Sequence, residues 1–143
     1  MQTFVYRATF EPGDKRGAIV VSFPDVPEAI TQGKSKVHAH QQAAEALGLA
    51  LLSYPARGLP LPKSKARSGV PVAVEADIAA KLALLEAFRA AAISKSELAR
   101  RIGKDEKEVR RMLDVRHPTK LPALTEALRA LGKRLVIGIA EAA

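Results

Sequence analysis

The side chains with the clearest chemical purpose are basic and concentrate in Lys95-Ser-Glu-Leu-Ala-Arg-Arg-Ile-Gly-Lys-Asp-Glu-Lys-Glu-Val-Arg-Arg-Met-Leu113. Leu98, Ile102, Val109 and Met112 are apolar at spacings that set two short helices face to face. Ala99 is small where a second helix must cross closely, Gly103 can adopt the left-handed conformation of a tight turn, and Asp105 can cap the helix that follows. An ordinary pair of core helices shares the apolar spacing. Charge separates the two readings: between Arg89 and Lys120 stand ten Lys and Arg against five Asp and Glu. The stretch therefore reads as a helix-turn-helix whose second helix, Asp105 to Leu113, enters the major groove of DNA. Glu106, Lys107 and Arg111 are then expected nearest base edges, Arg111 forking onto guanine and Glu106 accepting from cytosine N4. Lys95, Ser96, Arg110, Arg116 and Lys120 are placed for phosphates, which position a protein without reading sequence. Asp105, Glu106 and Glu108 suit the positive end of a helix dipole. They also repel phosphate oxygens, which lowers non-specific affinity.

Other chemistry finds little support. There is no cysteine, hence no disulfide framework and no thiol nucleophile. His38 and His40 are two apart on an expected helix and point in different directions, so they cannot chelate as an i, i+4 pair would. His117, before Pro118, belongs to a loop. No nucleophile elbow and no phosphate-binding glycine loop is present. No metal site and no cofactor is expected.

The charge of +8 over 143 residues favours a polyanionic partner. Nucleic acid is preferred to anionic lipid, because no helix pairs a basic face with a large aromatic one. The N-terminus has no apolar run preceded by basic residues, and nothing approaches a membrane-spanning length. The lack of cysteine suits a reducing cytoplasm. With aromatics at 4%, the core must be built from Ala, Val, Leu and Ile.

These residues need two kinds of scaffold. Phe4, Tyr6, Ala8 and Phe10 alternate with Thr3, Val5, Arg7 and Thr9, the period of a half-buried strand. Glu11 to Gly17 supplies a turn, Ala18 to Phe23 a returning strand, and Ala29 to Gln32 a short third one. Ser35 caps a helix with the stripe Val37, His40, Ala44, Leu47, Leu51, ending near Tyr54-Pro55. Arg57 to Gly69, rich in Pro, Gly and basic residues, reads as an extended, solvated and flexible linker. Val70 to Val74 follows as an edge strand, given its proline. Asp77 can cap a helix carrying Ile78, Leu82, Leu85 and Phe88. A last helix runs from about Leu121 to Leu131, with Pro122 in its first turn and Gly132 after it. Leu135 to Ile139 is expected as a closing strand, which must pair with another strand, plausibly in a second subunit.

Taken in order, Tyr6-Arg-Ala-Thr-Phe-Glu-Pro12, Ile19-Val-Val-Ser-Phe-Pro-Asp25, Ala29-Ile-Thr-Gln-Gly33, Val70-Pro-Val-Ala-Val74 and Ser96-Glu-Leu-Ala-Arg-Arg-Ile-Gly103 resemble the HicB family of antitoxins over nearly the whole chain. The resemblance implies an α+β protein. Residues 1–56 with strand 70–74 form a truncated RNase H-like β-β-β-α-β domain without nuclease activity. Residues 57–69 form the linker, and 75–143 form a helix-turn-helix domain with a C-terminal strand. The first domain would mask a HicA-type RNA-cleaving toxin. The second would bind operator double-stranded DNA as a dimer or higher oligomer and repress the toxin–antitoxin genes. The family is expected to carry acidic residues early in the first helix, where this chain has Val37 and His38. A nuclease of RNase H type needs carboxylates converging on two metal ions, one from the first strand. The strand expected from Thr3 to Phe10 holds no acid, and Asp25, between two prolines, is expected as a turn residue. The alternative from another class is a stand-alone transcription regulator whose N-terminal half binds a ligand or dimerises.

Overall fold

The computed structural model describes residues 1–142 and divides into two units, Met1–Glu75 together with the described residues from Ala140 on, and Ala76–Ile139. It is an α+β protein. The first unit runs β1 (Val5–Pro12), β2 (Ile19–Ser22), β3 (Ile30–Gly33), α1 (Lys36–Ala56) and β4 (Val70–Ala73). The strands form one antiparallel sheet in the order β3-β2-β1-β4. Thr9 lies opposite Ser22, Ile19 opposite Gly33, and Tyr6 opposite Val72. Pro71, which has no N–H to give, sits on edge strand β4 opposite Arg7, where a missing donor does least harm. β1 extends two residues past the alternating run, so Glu11 lies within the strand, opposite Val20 and exposed to solvent.

Helix α1 covers one face of the sheet, packing chiefly on β3 and reaching β2 and β4. Its buried side is Ala39, Ala43, Leu47, Gly48, Ala50 and Leu51, which corrects the expected stripe. Val37 is 58% exposed, and His40 is half-buried with its ring stacked on Phe10 at 4.4 Å between centroids. The reason is distance. At Gly33 the backbones of β3 and α1 come so close that a Cβ there would lie 2.3 Å from the Ala39 nitrogen and 2.5 Å from its Cα. Such an approach admits only alanines on the facing helix, and larger apolar residues rotate away from the true contact. The helix starts at Ser35, whose hydroxyl accepts from the His38 N–H, while His38 Nδ1 accepts from the Lys34 N–H at 2.9 Å. His38 thus closes a reciprocal pair resembling a capping box, but one residue further back, on the N–H of Lys34 rather than of the capping Ser35.

Residues 57–69 are largely exposed, but they are tied to the sheet unit. The Tyr6 hydroxyl donates to the Pro62 carbonyl at 2.5 Å, the Arg7 guanidinium to the Gly69 carbonyl at 2.8 Å, and Asp25 Oδ2 accepts from the N–H groups of Lys65 and Ala66 at 2.7 and 2.8 Å. Asp25 thus does more than shape a turn. The ties follow from topology: α1 runs back along β3, so a β4 antiparallel to β1 requires the chain to return along the unit before pairing. Arg57 is engaged too, its guanidinium lying over the Tyr54 ring at 4.9 Å.

The second unit is helical: α2 (Ala76–Ala91), α3 (Lys95–Ile102), α4 (Glu106–Met112) and α5 (Leu121–Ala130). Two buried groups fill it. One comprises Ala80, Leu84, Ala87, Met112, Leu124, Ala127 and Leu128; the other is Leu98, Ala99 and Val109, with Phe88 and Ile93 packed against it. Three expectations change here. Asp77 lies inside the first turn of α2 and accepts from the Ile78 N–H, so it does not cap the helix. Of Ile78, Leu82, Leu85 and Phe88 only Leu82 is fully buried, because α2 is covered on more than one side and buries Ala80, Lys81, Leu84 and Ala87 as well. The expected strand at Leu135 to Ile139 is not formed within the single chain: Leu135 packs on the helical core, Val136, Ile137 and Ile139 stay exposed, and none of the described residues pairs with the segment.

Gly33→Ala should destabilise the sheet unit by about 1–3 kcal/mol, because the added methyl meets helix backbone that cannot step aside without moving α1. Urea denaturation followed by circular dichroism measures it, and an unchanged midpoint would contradict the close approach.

Candidate nucleic-acid interface

The basic segment folds as α3 and α4 joined at residues 103–105. Ser94 caps α3, its hydroxyl accepting from the Glu97 N–H at 3.0 Å. Gly103 ends it with φ 67°, letting the Lys104 N–H return to the Ala99 carbonyl at 3.1 Å. Asp105 opens α4 through Oδ1, which accepts from the Glu108 N–H at 2.8 Å. Leu98, Ala99 and Val109 bury against one another, which turns the charged residues outward.

A helix of seven residues is too short to persist unaided. Its far end is held by Lys81, whose ammonium is buried and donates to the Met112 carbonyl at 2.6 Å, to Thr119 Oγ1 at 2.8 Å and to the Arg111 carbonyl at 3.5 Å. Burial pushes the Lys81 ammonium below its ordinary pKa, and the nearby Asp114 charge partly restores it. Nothing in the sequence marks this residue. It stands between Ala80 and Leu82 on a helix that reads as amphipathic, where lysine suggests the solvent side.

The eight residues expected at DNA fall into distinct situations. Lys107 and Arg111 are exposed on α4, and among the described residues no hydrogen bond or ion pair engages their side chains. Ser96, Glu106 and Arg110 are brought together: the Ser96 hydroxyl donates to Glu106 Oε2 at 2.9 Å, and the Arg110 guanidinium to Oε1 at 2.7 Å. These two bonds hold the Glu106 carboxyl below its ordinary range, with the Lys95 charge adding to them. Arg116 lies in the loop after α4, its N–H donating to Asp114 Oδ1 at 2.9 Å. Lys120 is exposed at the start of α5 and makes no side-chain cap. A further cluster went unanticipated. Glu97 receives Arg100 through two bonds, at 2.6 and 2.9 Å, and Arg101 at 3.1 Å, which lowers its carboxyl to about 2. The i, i+3 and i, i+4 spacing was the available signal.

Among the described residues no group of three or more His, Cys, Asp or Glu is gathered to hold a metal ion. No helix among them is long and apolar enough to cross a membrane.

No protein-family model matches the chain. Among known proteins, antitoxin HicB of Escherichia coli (strain K12) is 39% identical over 132 residues, spanning 91% of this chain and 95% of that one. Antitoxin HicB 1 of Photorhabdus laumondii subsp. laumondii is 36% identical over 136 residues, spanning 94% and 86%. Antitoxin HicB of Pseudomonas fluorescens (strain Pf0-1) is 28% identical over 138 residues, spanning 94% of each chain. A match over nine-tenths of the chain cannot be confined to either structural unit, so the sheet unit and the helical unit together define an antitoxin-class protein. The chain belongs to the HicB antitoxin family.

Lys81→Met keeps the aliphatic stem but leaves the Met112 carbonyl and Thr119 hydroxyl without their donor. We expect a loss of about 1–3 kcal/mol. Thermal melts of the two proteins test it, and an equal or higher melting temperature for the variant would remove Lys81 from its structural role.

Proposed function

We propose that this protein is a non-enzymatic antitoxin that binds and neutralises a HicA-type RNA-cleaving toxin through its sheet unit and represses its own genes through its helical unit. The observation that carries the reading is similarity to HicB antitoxins across both units at once. On this reading residues 1–56 with β4 are a truncated RNase H-like domain, residues 57–69 connect it, and residues from 75 onward are a helix-turn-helix domain. The β-β-β-α-β order, with β1 inside the sheet between β2 and β4, supports the first assignment. The Gly103 turn, the Asp105 cap and the outward basic residues support the second.

At operator DNA, α4 lies in the major groove with Lys107 and Arg111 at base edges. Glu106 already accepts one bond at each oxygen, from Ser96 and from Arg110, so a cytosine amino group must compete with these partners for its position. Lys95, Ser96, Arg110, Arg116 and Lys120 face phosphates. Binding as a dimer or higher oligomer would read two half-sites about 34–36 Å apart, one helical turn. The proposed setting is the bacterial cytoplasm.

Affinity capture of the tagged chain from lysate of its native host should bring down a small basic protein in near-stoichiometric amount, identified by mass, whose RNA cleavage the chain suppresses. Recovery of DNA without any protein partner would instead favour a stand-alone regulator. For the DNA half, Arg111→Ala should weaken binding to the region upstream of its own gene and relax one base position, each good base contact being worth about 1–3 kcal/mol. Lys95→Ala should mainly flatten the dependence of affinity on salt. Equal loss on operator and random DNA for Arg111→Ala would take away its base-reading role.

A further inference from the structure

Resting on the DNA-binding reading above, we propose that the Glu106 carboxylate is an internal stand-in for a DNA phosphate. In the free protein it occupies Ser96 and Arg110, and backbone binding begins by displacing it. Glu106 is then a specificity-determining residue that screens out DNA lacking the right bases.

The geometry is specific to this acid. A carboxylate and a phosphodiester both present two oxygens that share one negative charge, and both accept charge-assisted bonds from a guanidinium and a hydroxyl. Glu106 uses one oxygen for each partner, Ser96 on α3 and Arg110 on α4, so it bridges the two helices at the face assigned to DNA. Lys95 adds its charge to the same spot. The neighbouring acids do otherwise. Glu97 turns to Arg100 and Arg101 of its own helix, Glu108 lies 3.7 Å from Lys104, and Asp105 is spent on the α4 cap.

Exposed ion pairs are weak and exchange readily in water. A phosphate can therefore replace Glu106, but the displaced carboxylate stays tethered nearby and repels it. Random DNA must meet that opposition with phosphate contacts alone. An operator adds base contacts from Lys107 and Arg111, and the released Glu106 gains the option of accepting from cytosine.

The test compares full-length wild type, Glu106→Gln and Glu108→Gln by fluorescence anisotropy, using a random-sequence duplex and the duplex upstream of the gene over a range of salt. Glu106→Gln should bind random DNA about tenfold more tightly, with log affinity falling more steeply against log salt by up to about one, because in wild type the displaced carboxylate takes up a cation that offsets the counterion released at that phosphate. The gain on the upstream duplex should be smaller. Glu108→Gln removes the same charge from the same helix without touching Ser96 or Arg110, and should gain much less. Adding Arg110→Gln to Glu106→Gln should abolish the gain. The proposal is overturned if wild type binds the upstream duplex while Glu106→Gln leaves random DNA unchanged, or if Glu108→Gln gains as much. If none of the proteins binds either duplex even at low salt, the DNA-binding reading itself falls, and this inference with it.

Discussion

The presentation of the basic residues depends on a buried ammonium. Lys81 gives its hydrogens to the last carbonyls of α4 and to Thr119, so one side chain of α2 holds the end of a seven-residue helix and the loop after it. Burying a charge is costly unless it is hydrogen-bonded, and the negative end of a helix dipole is a favourable place for a cation. Those two facts explain why a lysine is tolerated here. Together with the Asp105 cap at the other end, it fixes the direction in which Lys107 and Arg111 leave the helix. The basic face is thus set from beneath, by a residue that is almost wholly buried.

The sheet unit rests on a different constraint, the close approach of β3 and α1 at Gly33 and Ala39. With few aromatic residues, this chain gains packing by bringing backbones together rather than by filling space with large side chains. The route of the chain after α1 follows from the sheet. Because β4 runs antiparallel to β1, residues 57–69 travel back along the unit, and Asp25, Tyr6 and Arg7 each hold a point along that path.

What the sequence revealed was local. Alternation marked β1, the proline placed β4 at an edge, and Gly103 with Asp105 marked the turn between α3 and α4, each a property of a few consecutive residues. What it concealed depends on distant partners. The stripe on α1 was misread because Val37 and His40 look like better core residues than Ala39 and Ala43, and only the position of Gly33 tells otherwise. Lys81 was invisible because its acceptors lie thirty and more residues away. Glu106 could be placed on the exposed side of α4 from spacing, but its bond to Ser96 needs the angle between two helices. Asp25 could be read as a turn residue, whereas its tie to Lys65 and Ala66 needs the return path.

The segment from Leu135 to Ile139 bears on how the protein behaves when concentrated. It carries no charge, is rich in β-branched residues and leaves Val136, Ile137 and Ile139 open to solvent, with no strand beside them among the described residues. Short uncharged stretches of high β-propensity are the parts of a chain most prone to stack with their own kind. Lys133 and Arg134 before it and Glu141 after it are charged flanks of the sort that hold such stacking in check. Three charged residues, Lys133, Arg134 and Glu141, thus bracket five apolar or small ones in the stretch of this chain best suited to self-association.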